Sequence, residues 1–170
     1  PYIDLRLLTN NNRVDLAGEG LDAAVRFGDG AWHGLQADLL VHAPLTPLCA
    51  PAIAEHLRQP GDLRGQTFIA PQFINESEGF AEVLARLAET AGFSAREAYR
   101  VNDFVTATSL AAAGYGIVVL PESNRLLNQP GVAFRPLRDF KENVHMALAY
   151  RERENSPAVR AFLAVARSCA

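Results

Sequence analysis

Cysteine is nearly absent from this chain. Cys49 and Cys169 are the two that occur in 170 residues. They stand far apart, with no CxxC spacing and no histidine-rich partner pattern, which excludes a recognisable zinc site or disulfide framework. Such scarcity fits a reducing compartment, and a cytoplasmic location is expected. Long hydrophobic runs are missing too: none approaches the roughly 18 residues that a membrane-spanning helix needs. No charged-then-apolar leader opens the sequence, so no membrane partner is expected. An excess of positive charge is also lacking, because 16 Lys+Arg stand against 19 Asp+Glu, for a formal net charge of -3 and a pI of about 5.8. That balance is not the footprint of phosphate-backbone binding, and this stretch is not expected to touch DNA itself. His33, His42, His56 and His145 are scattered, and no G-x-S-x-G elbow is present. Spacing therefore assembles no catalytic group, metal set or cofactor motif, and no enzyme, metal or cofactor is expected. The chain opens at Pro1, without Met, in what reads as a strand entry, as a piece of a longer protein would.

What is there describes a globular chain. With 49% hydrophobic and 21% charged residues, it can bury a proper core as one domain or two small lobes. Ile3 to Leu7 alternates apolar and polar, predicting a strand. Thr9 and Asn10 are cap residues for a short helix over 11–17, with Gly18 or Gly20 as its stop. Residues 21–27 read as a small-residue strand of the kind found inside parallel sheets. The loop from Gly28 to Gly34 has G-x-G-x-x-x-G spacing, one residue off the dinucleotide fingerprint, and opens no clear helix. Trp32 and His33 are expected to pin it. Leu39 to Cys49 is apolar but broken by Pro44 and Pro47, which predicts two strands joined at a crossover, with a hinge at 44–46.

The clearest helix spans 75–92. Asn75 with Glu78 makes a capping-box-like start, Phe80, Val83, Leu84, Leu87 and Ala91 form one apolar face, and Gly92 is the stop. Short strands are predicted at 67–70 and 98–101. Asn102 and Asp103 cap a second helix over 104–113, which ends at Gly114. A buried strand at 116–121, an edge strand at 132–137 and a last strand at 144–150 follow. Ser156-Pro157 then starts a terminal helix with Val159, Phe162, Leu163, Val165 and Ala166 facing inward.

This order predicts an α/β chain of two lobes linked by two crossing segments, residues 1–44 with 145–170 and residues 45–144. Ligands of such sheets sit at the carboxyl ends of strands, where helix N-termini offer free N–H groups. Three junctions have that form: Thr9-Asn10, the stretch 73–77 and Asn102-Asp103. They are expected to face one another across a cleft. The candidate ligand-binding residues are Thr9, Asn10, Asn75, Ser77, Asn102, Asp103 and His145. Each of the polar ones at a helix start also has a plain reading as a cap. An ionised Asp103 would repel a carboxylate ligand and favour a cationic or hydroxylated one. Arg26 could pair a ligand carboxylate, but Asp22 is a simpler partner for it.

Residues 6–54, above all Asn11 to Gly34 with its closing Ala31-Trp32-His33-Gly34, resemble the effector-binding domain of LysR-type transcriptional regulators. Within that family they are most similar to the branch that controls chromosomal β-lactamase and to the glycine-cleavage branch. Ala91-Gly92-Phe93, Ala112 to Ile117 and Leu120 to Ser123 also resemble the family, there more like its regulators of aromatic-acid catabolism. The resemblance implies a two-lobed, type 2 periplasmic-binding-protein-like fold that binds a small-molecule effector. It also implies that promoter DNA is bound only through a winged helix-turn-helix absent from this chain, that the domain's first strand and helix are missing here, and that the full-length protein is a homodimer or homotetramer. Thr9 falls where aromatic-acid regulators place a ligand-contacting threonine. Asp15 and Gly34 match positions of regulatory importance in the β-lactamase branch. That branch has serines where this chain has Asp103 or Phe104, and a tyrosine where it has His145. A solute-binding protein of a transport system shares the fold and is the alternative.

Overall fold

The structure, a computed structural model, describes residues 3–9, 15–28, 32–72, 80–141 and 143–169. In chain order its elements are β1 (Ala23–Phe27), β2 (Leu35–Cys49), α1 (Pro51–Ala54), β3 (Thr67–Pro71), α2 (Phe80–Thr90), β4 (Arg96–Val101), α3 (Phe104–Ala112), β5 (Val118–Pro121), β6 (Ala133–Phe134), β7 (Asn143–Arg151) and α4 (Pro157–Ser168). They fall into two compact units, residues 1–42 with 144–170, and residues 43–143.

In the first unit the strand order is β1-β7-β2. β1 runs antiparallel to β7, from Ala23 opposite Tyr150 to Phe27 opposite Met146. This corrects the parallel setting expected for residues 21–27: small side chains suit either orientation, and the partner strand lies more than a hundred residues away. Leu148 and Tyr150 of β7 bury against Val159 and Leu163 of α4, with Ala23, Leu40, Phe162 and Ala166 around them. Each such leucine, once fully buried, is worth roughly 1.5–3 kcal/mol of transfer free energy. α4 starts as its sequence dictates, with Pro157 in the first turn and the Ser156 hydroxyl accepting the Val159 N–H at 3.4 Å. Val165, expected inward, is 64% exposed, because Leu163 and Ala166 already fill the face towards the sheet.

Trp32 buries against Ala147 and Ala149, flanked by Leu35 and Ala37. It pins its loop as expected, whereas His33 is exposed. Gly28 lies against that ring, and a Cβ there would sit 3.0 Å from it. The stretch 15–20 is a turn closed by Gly20 at φ 66: the Gly20 N–H bonds the Ala17 carbonyl at 3.3 Å and the Leu21 N–H bonds the Leu16 carbonyl at 2.8 Å. This is the paired-bond termination that a left-handed glycine permits. The expected helical residues 11–14 lie outside the described residues. Residues 3–9 are not a strand, and Ile3, Leu5, Leu7 and Leu8 are 46%, 57%, 85% and 64% exposed. Alternation alone makes no strand without a ladder partner.

In the second unit β3 and β4 pair in parallel around α2, from Thr67 opposite Arg96 to Pro71 opposite Val101. Val83, Leu84, Leu87 and Ala88 form the buried face of α2. The helix stops at Gly92, φ 70, where the Phe93 N–H reaches the Ala88 carbonyl at 2.9 Å. Phe93 then stacks on the buried Phe68 at 6.1 Å. On the other side of β3, Ile117 bridges Phe68 in parallel just before β5 begins. Residues 45–49 of β2 pair antiparallel with β5 and with the short β6. Leu39 to Cys49 is thus part of one continuous strand and not two. Pro47 is tolerated because its carbonyl, accepting the Arg135 N–H at 2.8 Å, serves the β6 side, where the ladder is two residues long.

Candidate functional site

Asn102 and Asp103 stand where β4 ends and α3 begins. Asp103 has an extended backbone, φ -154 and ψ 158, and its side chain accepts the Thr106 N–H at 2.7 Å. An aspartate at this position satisfies an otherwise orphaned helix donor and sits in the favourable field of the helix N-terminus. The backbone hydrogen bond from Thr106 holds its carboxyl below the usual carboxylate range. Its negative charge is therefore built into the start of α3. A second anion arriving there would meet repulsion, while an ammonium or hydroxyl group would find an acceptor. Asn102 is exposed beside it.

In the first unit His145 is half-buried on β7. Its carbonyl accepts the Gly28 N–H at 2.9 Å, and its ring meets that of His42 edge-on, with centroids 4.7 Å apart. His42 was not picked out from the sequence, and no local pattern could have found it, since the pair exists only through the alignment of β2 with β7. Thr9 is exposed at the end of the stretch 3–9. Asp15 bonds its own chain, one carboxylate oxygen accepting the Ala17 N–H at 3.1 Å. Gly34 has φ 73 with open space where a Cβ would point, so its requirement is conformational. Asn10, Asn75 and Ser77 lie outside the described residues.

One pairing expected from the sequence changes. Asp22 engages Arg151 at 2.9 Å instead of Arg26. Arg151 also pairs with Glu154 at 2.7 Å and donates to the Leu21 carbonyl, joining β1's approach to β7's exit. The Arg26 guanidinium lies 5.6 Å from the Trp32 ring centroid. A surface groove of about 450 Å³ in the second unit, lined by Arg64, Glu89, Gly92, Phe93 and Ser94, contains none of the expected site residues. Arg64 there donates to the Gly92 carbonyl at 2.9 Å and so closes the C-terminal end of α2. Among the described residues no group of three or more His, Cys, Asp or Glu could hold a metal ion, and no helix is long and apolar enough to cross a membrane.

A family model described as LysR substrate binding domain matches residues 1–169. Over 124 residues the chain is 41% identical to the HTH-type transcriptional activator AmpR of Enterobacter cloacae, covering 71% of this chain and 40% of the activator. Over 164 residues it is 29% identical to AmpR of Citrobacter freundii, covering 95% of this chain and 55% of that protein. The chain thus spans between 40% and 55% of the length of these two curated relatives. The solved effector domain of AmpR of Pseudomonas aeruginosa superposes with a TM-score of 0.76 at 32% identity, covering 99% of this chain and 82% of that one. CbnR, a LysR family transcriptional regulator, reaches the same TM-score at 19% identity over 91% of this chain and 54% of its own, a likeness of fold.

Proposed function

The chain belongs to the LysR substrate binding domain family, and from that membership we propose that it is the effector-sensing part of a longer bacterial transcriptional regulator. Its fold is the α/β, type 2 periplasmic-binding-protein-like fold of LysR effector domains. The observation that carries the reading is the match to a solved AmpR effector domain along 99% of the chain. The relatives are named as transcriptional activators and not as transport receptors, which favours regulation over solute uptake.

In this reading a small polar metabolite is the signal, and the full-length protein carries it to promoter DNA through a separate domain, as a homo-oligomer in the cytoplasm. Residues 1–44 with 145–170 act as lobe I and residues 45–144 as lobe II. Thr9, Asn10 and His145 on lobe I and Asn75, Ser77, Asn102 and Asp103 on lobe II are the contacts, with Asp15 and Gly34 regulatory. The ligand acts by binding one arrangement of the protein better than another, since equal affinity shifts no population. The Asp103 charge favours an effector that presents an ammonium or hydroxyl group to lobe II.

A thermal-shift screen of the chain against cell-wall muropeptides, short peptides and aromatic carboxylates tests this. A saturable rise in Tm with one class, reduced at least tenfold in affinity by Asp103→Asn or His145→Ala, is the expected result. Asn caps helices about as well as Asp, so Asp103→Asn removes the charge and keeps the helix start. No shift with any class, or equal shifts in Thr9→Val, His145→Ala and Asp103→Asn, would sink the assignment.

A further inference from the structure

The second unit brings two arginines together on one backbone carbonyl. Leu57 is fully buried, and its carbonyl oxygen accepts both the Nη1 of Arg58 and the Nε of Arg135, each at 2.8 Å. The two donor nitrogens therefore lie within twice that distance of each other. The backbone fastens the same two segments together: the Pro47 carbonyl takes the Arg135 N–H at 2.8 Å, and the Arg58 carbonyl takes the Arg138 N–H at 2.9 Å. No carboxylate answers the two charges. Asp62 spends one oxygen on the backbone N–H groups of Arg58 and Gln59, at 2.8 and 3.0 Å. Among the described residues neither Asp62 nor Glu55 nor Asp139 forms an ion pair with Arg58 or Arg135, whereas Arg125, Arg151 and Arg167 each meet an acid.

A guanidinium keeps its charge at any pH the protein meets, so losing a proton cannot relieve the repulsion between Arg58 and Arg135. An anion can. Each guanidinium carries five N–H donors, and the Leu57 carbonyl takes one from each. We propose that Arg58 and Arg135 together bind the dianionic phosphate group of a small molecule. The guanidinium fork matches phosphate oxygens bidentately, and two adjacent positive charges suit a dianion better than a monocarboxylate. The site shares no residue with Asn102, Asp103 or His145, so it is a second site, separate from the proposed effector contacts. A phosphate held there clasps the loop after α1 to the segment after β6, and it stabilises the fold by mass action.

Isothermal titration calorimetry of the chain with inorganic phosphate, glucose 6-phosphate and acetate, in chloride at constant ionic strength, tests this. The expected result is saturable one-to-one binding of a phosphate, with acetate at least tenfold weaker. Tighter binding of the ester assigns the site to a phosphorylated metabolite, and equal or tighter binding of inorganic phosphate assigns it to the free ion. Arg58 is exposed, so Arg58→Gln leaves the fold intact, and it should weaken binding at least tenfold. Arg135→Gln should do the same, with Arg135→Lys in between because lysine keeps the charge and loses the fork. Circular dichroism certifies that each variant is folded, and Arg58→Gln alone decides should Arg135→Gln not fold. Arg153→Gln, which removes an exposed arginine of the first unit, should bind as the parent chain does. No saturable heat up to about 10 mM of either phosphate overturns the proposal. So does acetate binding as tightly as phosphate, undiminished affinity in Arg58→Gln, or an equal loss in Arg153→Gln.

Discussion

Asp103 spends its carboxylate on the start of α3, and that gives the residue a stability role separable from any ligand. Replacing it with Ala leaves the Thr106 N–H without its 2.7 Å partner, which should cost about 1 kcal/mol in urea unfolding, while Asn should cost almost nothing. The charge has a pH signature as well. Asp103, Asp62 and Glu154 are all held below their ordinary values of 3.8, 3.8 and 4.5, first by backbone hydrogen bonds from Thr106, Arg58 and Ser156 respectively. A carboxylate with a depressed folded pKa stabilises the fold above its unfolded value and loses that contribution as pH falls through the folded one. Stability should therefore be flat near neutrality and fall steeply below about pH 4, with a shallower fall in Asp103→Asn. The cysteines divide as sharply. Cys49 is fully buried on β2, and burial pushes its thiol up to about 11, while Cys169 is exposed. A disulfide reagent at mildly alkaline pH should react with Cys169 in the native chain and with Cys49 only after denaturant is added.

At the scale of elements, the fold depends on close backbone approaches that glycine permits. Gly116 precedes the point where Ile117 exchanges bonds with Thr67 and Ile69, each 2.9 Å. A Cβ on Gly116 would lie 2.6 Å from the Thr67 carbonyl oxygen. Backbone cannot yield there without parting β3 from β5, so Gly116→Ala should cost roughly 1–3 kcal/mol. Gly61→Ala, in open space at an ordinary φ, should stay within about 0.5 kcal/mol. Equal unfolding midpoints for the two variants would refute the argument. Local requirements of this kind are what the sequence makes legible. The stops at Gly20, Gly92 and Gly114, the inward face of α2 and the caps Asp103 and Ser156 all depend on neighbours a few residues away. What stayed hidden depends on distant partners. The two prolines read as a break in β2 because nothing local says that Pro47 faces the two-residue β6. Ile3 to Leu7 read as a strand because alternation carries no information about whether a ladder partner exists. The candidate site divides the same way: Asp103 is visible as a helix start, whereas the His42 contact on His145 and the Arg151 bonds to Asp22 require β7 to be aligned with its neighbours.

For the whole molecule, the two units differ in how the chain supplies them. The second is one uninterrupted stretch, residues 43–143, and it contains the described partners of its own strands: β3 with β4, Ile117 beside β3, and β5 and β6 on the last part of β2. Its core is internal too, with Leu48, Leu57, Leu63, Phe68, Ile117 and Leu120 each at most 1% exposed. The first unit is assembled from two separate stretches, because β1 lies before residue 43 while its only described partner β7 and the covering α4 come from 144–170. Burial scales with having both sides of an interface present, so the stretches should not be equally autonomous. A fragment of residues 43–143 should fold alone, with a cooperative thermal transition and protected amides in β3 and β5. A fragment of residues 1–42 should show neither until residues 144–170 are supplied, on a second peptide or through a short linker. Hydrogen exchange on both fragments decides the matter. If 43–143 exchanges as an unfolded chain, its core is not self-sufficient, and the molecule must be treated as a single cooperative body.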